Sequence, residues 1–335
     1  MDKSEALRKF YQKNHIDIRA ASNGADGSYD RRIAGLSEQV DVWLSKIDPG
    51  DHEAFLELLS RYHYLTEACC RQRYRRVLEL LEERLRGICG LDEVLFVTIE
   101  SSGGYKTGSD NVRADLYSRG YPQISKAQIL AAQSKLKRKE LKRYRAIVFL
   151  DDIAGSGITL WTAMERFCER FHSTVSAPNG PLLFYSCIVP RRHGMRHIRR
   201  NCKSRGIGAV ELVDQDWYEE AAFDRGSAGY LRLRRYEEMV DGYLSNPRKS
   251  FFMGFNQNRL LVSFYYSTPN NTLCTFWRKT PGNAPPFPRD GDQPAAQPSG
   301  AAARPTIGSL RACLEKVKRG AYALGMDRRE KRKNG

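Results

Sequence analysis

Five short segments with mainly apolar interiors constrain the fold of this chain, and helical or polar stretches separate them. The segments are Glu93–Glu100, Ala146–Leu150, Leu182–Val189, Ala209–Asp214 and Leu260–Tyr266. Strands of a parallel sheet are buried on both faces, so they are continuously apolar rather than alternating. The pattern therefore predicts an α/β fold with a mainly parallel sheet of about five strands flanked by helices. Ligands of such sheets bind beyond the carboxyl ends of the strands.

The chain outside these segments divides by composition into flanking regions. Residues 1–90 have helical periodicity, with a long amphipathic segment at Leu65–Leu85, and predict an N-terminal helical region. Residues 91–278 form the predicted core. Residues 279–306 are rich in Pro, Ala and Gly, which predicts a disordered linker, and residues 307–335 predict a short helix with a basic tail.

No segment of the sequence predicts a membrane span or a metal centre. The longest apolar runs fall well short of the roughly 20 residues that cross a bilayer, and the N-terminal MDKSEALRKF lacks the apolar stretch of a secretory signal. The eight cysteines form no C-x-x-C pair and no zinc-site spacing, so we expect reduced thiols. These observations predict a cytoplasmic protein with no membrane partner.

The charge balance points to an anionic partner. The chain has 55 Lys and Arg residues against 39 Asp and Glu residues, a formal net charge of +16. This excess favours nucleic acid or a phosphorylated small molecule as a ligand. Two basic runs, Lys135–Arg145 and Pro190–Arg205, supply much of it. Each run is either a contact surface for RNA or DNA phosphates or a solvated helix face.

The most informative segment is AIVFLDDIAGSGITL, residues 146–160. A buried strand runs into two adjacent carboxylates, Asp151 and Asp152, and then into a loop of small residues before a helix that opens at Thr159. The loop has neither the lysine of a Walker P-loop nor the G-x-G-x-x-G spacing. Its small side chains let backbone N–H groups converge on an anion, and the helix start adds the positive end of its dipole. Because carboxylates accept hydrogen bonds from vicinal hydroxyls, the segment predicts a site for a sugar phosphate with a free diol.

Residues Ile147–Thr159 resemble the signature of the type I phosphoribosyltransferase family, in which an apolar strand precedes two acidic residues and a Gly/Ser/Thr loop ending in threonine. The resemblance implies that Asp151 and Asp152 bind the ribose hydroxyls of phosphoribosyl pyrophosphate (PRPP). It also implies Mg²⁺, held mostly by oxygens of the diphosphate and the ribose. Ala154 departs from the larger aliphatic residue that is usual there. The 5-phosphate cradle implied by the resemblance consists of Ala154, Gly155, Ser156, Gly157 and Thr159.

The same resemblance implies a role for the loop that follows the first core strand, Glu100–Asp110. In phosphoribosyltransferases this loop receives the diphosphate through backbone amides and nearby cations. Lys106 supplies a point charge for a leaving phosphate, and an ordinary turn is the alternative. The small side chains expected to let the backbone approach the diphosphate are Ser101, Ser102, Gly103 and Gly104.

A second resemblance involves the stretch RLLVSFYYSTPNNTLCTFW, Arg259–Trp277. It is similar to the ending of phosphoribosyltransferase-like effectors of bacterial conflict systems, which are associated with retrons and antiphage defence and carry an N-terminal helical region. Cys274 stands where a proline is expected. The resemblance implies that Asn270 and Asn271 bind an acceptor or a base through amide hydrogen bonds. The alternative is a turn that merely closes the sheet.

The function predicted from these features is binding of PRPP or a related ribose phosphate with Mg²⁺, with transfer of the ribose phosphate to an acceptor that the sequence does not identify. The resemblance to conflict-system proteins implies an effector of antiphage defence, with a defence-system protein as a further partner. A non-catalytic module that binds a nucleotide or a nucleic acid in the same pocket is the alternative. A third interpretation is a toxin-like effector that depletes nucleotides or modifies nucleic acid.

Overall fold

The N-terminal part of the protein is helical, as the sequence predicts, but it also contains a short strand. The computed structural model describes residues 1–17, 32–99, 112, 116, 124–130, 136–224, 227–242 and 252–289. Side-chain caps fix two of the helix starts: Asp2 accepts a hydrogen bond from the Glu5 amide, and Thr66 accepts one from the Cys69 amide. The elements in this part are α1 (Lys3–Lys13), α2 (Leu36–Leu44), α3 (His52–Arg61), β1 (His63–Leu65) and α4 (Glu67–Leu85).

A five-stranded parallel sheet forms the centre of the fold, which confirms the predicted fold class. The elements of this part are β2 (Val94–Thr98), β3 (Ile129–Leu130), α5 (Arg138–Leu141), β4 (Ala146–Ala154), α6 (Ile158–Arg170), α7 (His172–Val175), β5 (Leu182–Pro190), α8 (Arg192–Ser204) and β6 (Ala209–Glu211). The strand order is β3-β2-β4-β5-β6, and every neighbouring pair is parallel. The strand β4 lies in the middle, with residues 146–150 buried on both faces.

The predicted fifth strand, Leu260–Tyr266, does not join this sheet. Its central residues form β7 (Val262–Phe264), which pairs in parallel with β1 in a separate two-stranded sheet, after the helix α9 (Ala228–Gly242). The segment is apolar throughout because it lies between two cores: Leu260 packs in the core that contains α4 and β2, whereas Leu261 packs in the core of the N-terminal helices. The strand that completes the five-stranded sheet is β3, at the edge beside β2.

Ordered structure extends beyond Lys279, where the sequence analysis placed the start of a disordered linker. Phe287 is fully buried and stacks on Tyr62, with 4.6 Å between the ring centroids. Arg32 donates hydrogen bonds to the carbonyl oxygens of Phe264 and Pro288, at 2.7 and 2.9 Å. The prediction of disorder is therefore wrong for residues 279–289, because the buried ring of Phe287 and the hydrogen bonds of the partly buried Arg32 hold this proline-rich segment in place. Residues 290–335 lie outside the described residues.

The buried carboxylate of Glu237 on α9 fixes the position of the segment after β7. It accepts hydrogen bonds from the backbone amides of Met253, Cys274 and Thr275, at distances of 2.8 to 3.1 Å. Hydrogen bonds to a charged acceptor are about twice as strong as neutral ones. This anchor holds residues 252–259 and 271–277 beside the carboxyl end of β4, where the candidate site lies.

Candidate functional site

The acidic pair lies at the carboxyl end of the central strand, where a parallel sheet binds its ligands. Asp151 is only 7% exposed, and Asp152 is partly buried. The Asp152 amide donates a hydrogen bond of 3.0 Å to Asp151 Oδ1. Asp151 also pairs in register with Cys187 of the neighbouring strand β5. The sheet therefore holds the first carboxyl group inside the protein and leaves the second nearer the surface.

Burial and mutual repulsion disfavour the doubly ionised form of this pair. Burial raises the pKa of the Asp151 carboxyl well above its usual value, and the adjacent Asp152 charge raises it further. Burial also raises the pKa of Asp152, although the hydrogen bond from Asp151 and the positive charge of Arg289 oppose that rise. The pair therefore retains a proton more readily than two exposed aspartates, with Asp151 as its carrier. Perturbed carboxyl groups of this kind cluster at functional sites.

Backbone atoms and amide side chains pack tightly around the loop after the pair. Gly157 has φ of +74°, a conformation that favours glycine, and precedes the first turn of α6. On one side lies Gly194 of α8, where an added Cβ would be only 2.7 Å from the Gly155 carbonyl oxygen. On the other side lie two amides: a Cβ on Gly155 would be 2.8 Å from both Asn271 Cγ and Asn258 Nδ2. The glycines of the loop therefore permit close packing on both sides.

The structure brings most of the predicted residues of this segment together, with exceptions. Asn271 lies against the loop. The backbone carbonyl oxygen of Asn270 instead accepts a hydrogen bond of 2.7 Å from the Phe255 amide. Thr159 is the second residue of α6 and its side chain is exposed. Ser156 is buried. The residues predicted to contact a diphosphate, Ser101, Ser102, Gly103, Gly104 and Lys106, lie outside the described residues.

Two residues beside the acidic pair were not predicted. The Tyr266 hydroxyl is buried and makes no hydrogen bond within the described part of the chain. Burial raises the pKa of this hydroxyl well above its usual value, and the nearby Asp152 charge adds to the rise. Arg289, from the segment assigned to the linker, acts on Asp152 and also lies over the Trp277 ring, 6.0 Å from its centroid. No sequence pattern connects these positions to residues 151 and 152, because only the packing of the C-terminal segment places them here.

A cavity of about 500 Å³ opens beside the loop. Helix α8 and the segment before β7 form its walls, and the loop contributes Ser156. None of the described residues that line the cavity is acidic. The lining residues are Ser156, Ile158, Arg191, His193, His197, Asn256, Gln257, Asn258 and Arg259.

Other observations bear on metals, thiols and membranes. Within the described residues, no group of three or more His, Cys, Asp or Glu side chains is placed to hold a metal ion. Seven cysteines are free thiols, as expected, and Cys313 lies outside the described residues. The described helices include none with both the length and the apolar character of a membrane span.

The five-stranded parallel sheet flanked by helices, with the acidic pair on its central strand and a tightly packed small-residue loop after it, defines a phosphoribosyltransferase-like fold. Comparison with known proteins agrees, since a family model named PRTase-CE matches residues 40–289. The chain therefore belongs to PRTase-CE, a phosphoribosyltransferase-like family. The match includes most of the N-terminal helical region and ends at Arg289, whose positive charge acts on Asp152. No curated protein matches the chain.

Proposed function

We propose that this protein binds PRPP or a related ribose phosphate with Mg²⁺ and transfers the ribose phosphate to an acceptor. The observation that carries the proposal is the placement of Asp151 and Asp152 at the end of β4, directly before a loop packed between Gly194 and Asn271. A carboxylate pair accepts hydrogen bonds from the two hydroxyls of a ribose. The backbone amides of the loop and the start of α6 suit a phosphate.

The Tyr266 hydroxyl supports a ligand beside the acidic pair. A buried hydroxyl without a partner costs about 1–3 kcal/mol, and such groups persist where a ligand or water completes their hydrogen bonding. Tyr266 lies close enough to Asp152 for that charge to raise its pKa. A bound ribose would supply both the missing acceptor for Tyr266 and the donors for Asp152.

The residues present fit Mg²⁺ as a component of the ligand complex. Carboxylate oxygens are the hard ligands that this ion prefers, and it usually keeps several waters and phosphate oxygens. Asp151 and Asp152 are the described residues that would hold it, and oxygens of the diphosphate and the ribose would supply its other ligands. When bound, the ion neutralises charge on the diphosphate.

Transfer requires heterolytic cleavage at C1 of the ribose. The C1–O bond to the diphosphate breaks and its electron pair leaves with the diphosphate, and the acceptor then forms a bond to C1 and loses a proton to solvent. Asp151 and Asp152 orient the ribose and stabilise the positive charge that develops on its ring.

Calorimetric titration with ribose 5-phosphate and with 2-deoxyribose 5-phosphate tests the binding step. We expect ribose 5-phosphate to bind about tenfold or more tightly, because loss of a hydroxyl leaves a carboxylate oxygen without its donor. Equal affinities would contradict the assignment of the diol to the acidic pair. Release of diphosphate from PRPP in the presence of candidate acceptors then tests the transfer.

The biological role that we propose is that of a cytoplasmic effector in antiphage defence. Its support is the similarity of Arg259–Trp277 to the ending of conflict-system proteins. Plaque counts on bacteria that express the chain with its neighbouring genes test this role, and the Asp151→Asn, Asp152→Asn variant is the control. Equal plaque counts with and without the intact acidic pair would contradict it.

A further inference from the structure

The cavity beside the loop is larger than the proposed ribose phosphate requires. Its volume of about 500 Å³ is in the range of pockets that hold whole ligands rather than single groups. The 5-phosphate of PRPP is a terminal group, and the loop amides suffice to bind it. Neither Asp151 nor Asp152 lines the cavity. The cavity shares Ser156 with the loop but does not include the acidic pair, so it offers room for a ligand that continues beyond a 5-phosphate ester.

The wall before β7 has a conformation that is costly to maintain. Asn256, Gln257 and Arg259 have φ values of +52°, +54° and +53°, in the left-handed region that L-residues rarely adopt. Each such residue costs about 1–2 kcal/mol, and strain of this kind persists at functional sites where the surroundings enforce it. Here Asn258 fixes the segment: it accepts a hydrogen bond from Arg191 and donates one of 2.8 Å to the Phe255 carbonyl oxygen.

The cavity is electropositive. Arg191 and Arg259 line it, and no carboxylate among the described residues does so. Burial lowers the pKa of the His193 imidazole below its usual value, and the nearby charges of Arg191 and Arg196 lower it further. A positive, roomy cavity next to a phosphate loop suits additional phosphates of the same ligand. The exposed side chain of Ile158 adds an apolar surface against which a base can pack.

The positive surface continues along α8. Arg196, Arg200 and Lys203 are exposed, lie on one face at helical spacing, and form no ion pair within the described residues. The other three cations of this region are neutralised, because Arg192 pairs with Glu220, Arg199 with Glu211 and Arg205 with Glu165. The helix has 13 residues and is therefore about 20 Å long. It provides a track of exposed cations on the same helix that lines the cavity through His193 and His197.

We propose that the site binds the 3′ end of a single-stranded RNA. The terminal ribose would occupy the acidic pair, its 5′-phosphodiester the loop, and the preceding nucleotides the cavity and the free cations of α8. Only the 3′-terminal nucleotide of an RNA has a vicinal diol, since the 3′-hydroxyl of every internal ribose is esterified. The proposal rests on the proposed function for the diol and phosphate positions, and it adds the ligand class.

The test is fluorescence anisotropy with a 5′-labelled short single-stranded RNA that ends in a 2′,3′-diol, in a 2′-deoxyribose or in a 3′-phosphate. We expect the diol-terminated RNA to bind about tenfold or more tightly than the other two. This preference should disappear in the Asp151→Asn, Asp152→Asn variant, and PRPP should compete with the RNA. The comparison among the three RNA ends is made with the wild-type protein, so the diol preference is measured without any variant that could misfold.

Two triple variants of α8 test whether its exposed cations contact RNA phosphates. Replacing Arg196, Arg200 and Lys203 with glutamine should weaken RNA binding and reduce the slope of log K against log salt by about 2, since each phosphate contact on a single strand contributes about 0.7. PRPP binding should stay unchanged. The matched control replaces the ion-paired residues Arg192, Arg199 and Arg205 with glutamine, removes the same charge and should affect RNA binding less.

The outcomes separate this proposal from the proposed function. Binding of PRPP without any binding of RNA would overturn the RNA proposal alone and would assign the cavity to a small phosphorylated ligand. Equal binding of all three RNA ends would also overturn it, since it indicates non-specific attraction to the backbone. Absence of both PRPP binding and a diol preference would overturn the proposed function as well.

Discussion

Gly194 of α8 packs directly on Gly155 of the loop: a Cβ on Gly194 would lie 2.7 Å from the Gly155 carbonyl oxygen. Real Cβ atoms do not approach backbone oxygen so closely, so a side chain at position 194 must displace the loop. The contact joins a helix of the fold to the backbone that is expected to hold a phosphate. It makes the shape of the loop depend on a residue nearly 40 positions further along the chain.

The first prediction is that Gly194→Ala impairs ligand binding. Alanine favours helix more than glycine by about 1 kcal/mol, so α8 itself should gain stability while the loop is displaced. We expect at least tenfold weaker PRPP binding by calorimetry, with the far-ultraviolet circular dichroism spectrum preserved. Gly208→Ala is the matched control, because a Cβ there meets nothing within 4 Å. Equal affinities of the two variants would contradict the packing argument.

The second prediction is that Asp151→Asn stabilises the protein at neutral pH. The folded-state pKa of Asp151 is raised, so the native state holds more protons than the unfolded state above about pH 4. Wild-type stability therefore falls as the pH rises through that window. The variant should unfold at a temperature a few degrees higher at pH 7, a gain of about 1 kcal/mol. The gain should vanish near pH 3, where the wild-type carboxyl is protonated in both states.

Calorimetric measurement of thermal unfolding across this pH range checks the sign of the stability difference between the variant and the wild type. A variant that is less stable than the wild type at pH 7, or a difference that does not change with pH, would mean that Asp151 is held ionised by a favourable partner.

The third prediction concerns the buried Tyr266 hydroxyl. Tyr266→Phe should leave the unfolding temperature unchanged or slightly higher, because it removes a polar group that has no partner in the described part of the chain. It should weaken PRPP binding about three- to tenfold, the usual effect of one lost hydrogen bond. Tyr265→Phe on the neighbouring ring, 4.9 Å away between centroids, is the control and should bind normally. Loss of stability without loss of affinity would assign Tyr266 a purely structural role.

The fourth prediction concerns Arg289, whose positive charge opposes the rise that burial causes in the pKa of Asp152. Arg289→Gln should weaken PRPP binding most strongly at low pH, since the acidic pair would then retain its proton to a higher pH. The affinity of the variant should approach that of the wild type as the pH rises. Arg278→Gln is the matched control, because Arg278 also lies over the Trp277 ring, at 5.6 Å. A loss of affinity of the same size at every pH would contradict the electrostatic role.

Local patterns predicted the elements around the acidic pair well. The sequence predicts that the central strand begins at Ala146 and the following helix at Thr159, and in the structure they begin at Ala146 and Ile158. A buried strand, a carboxylate pair and a small-residue loop are all encoded within fifteen consecutive residues. The prediction of the α/β class rests on the same kind of local signal.

Contacts between distant segments could not be predicted in this way. The strand β1 has only three residues within a helical region, and it forms because His63 pairs with Val262, about 200 positions away. Tyr266 and Arg289 reach the acidic pair, and Asn256–Arg259 reach the cavity, through that long-range packing. The proline-rich composition of residues 279–289 indicated disorder, yet Phe287 fills a place between the N-terminal aromatic side chains.

The most direct test of the central claim is calorimetric titration of PRPP with Mg²⁺ into the wild-type protein and into the Asp151→Asn, Asp152→Asn variant. The matched control is Asp214→Asn, Asp216→Asn, which removes two carboxylates that follow β6. We expect saturable binding to the wild type and to the control, and no detectable heat of binding with the acidic-pair variant. Unchanged PRPP affinity in the folded acidic-pair variant would show that these carboxylates do not bind the ribose.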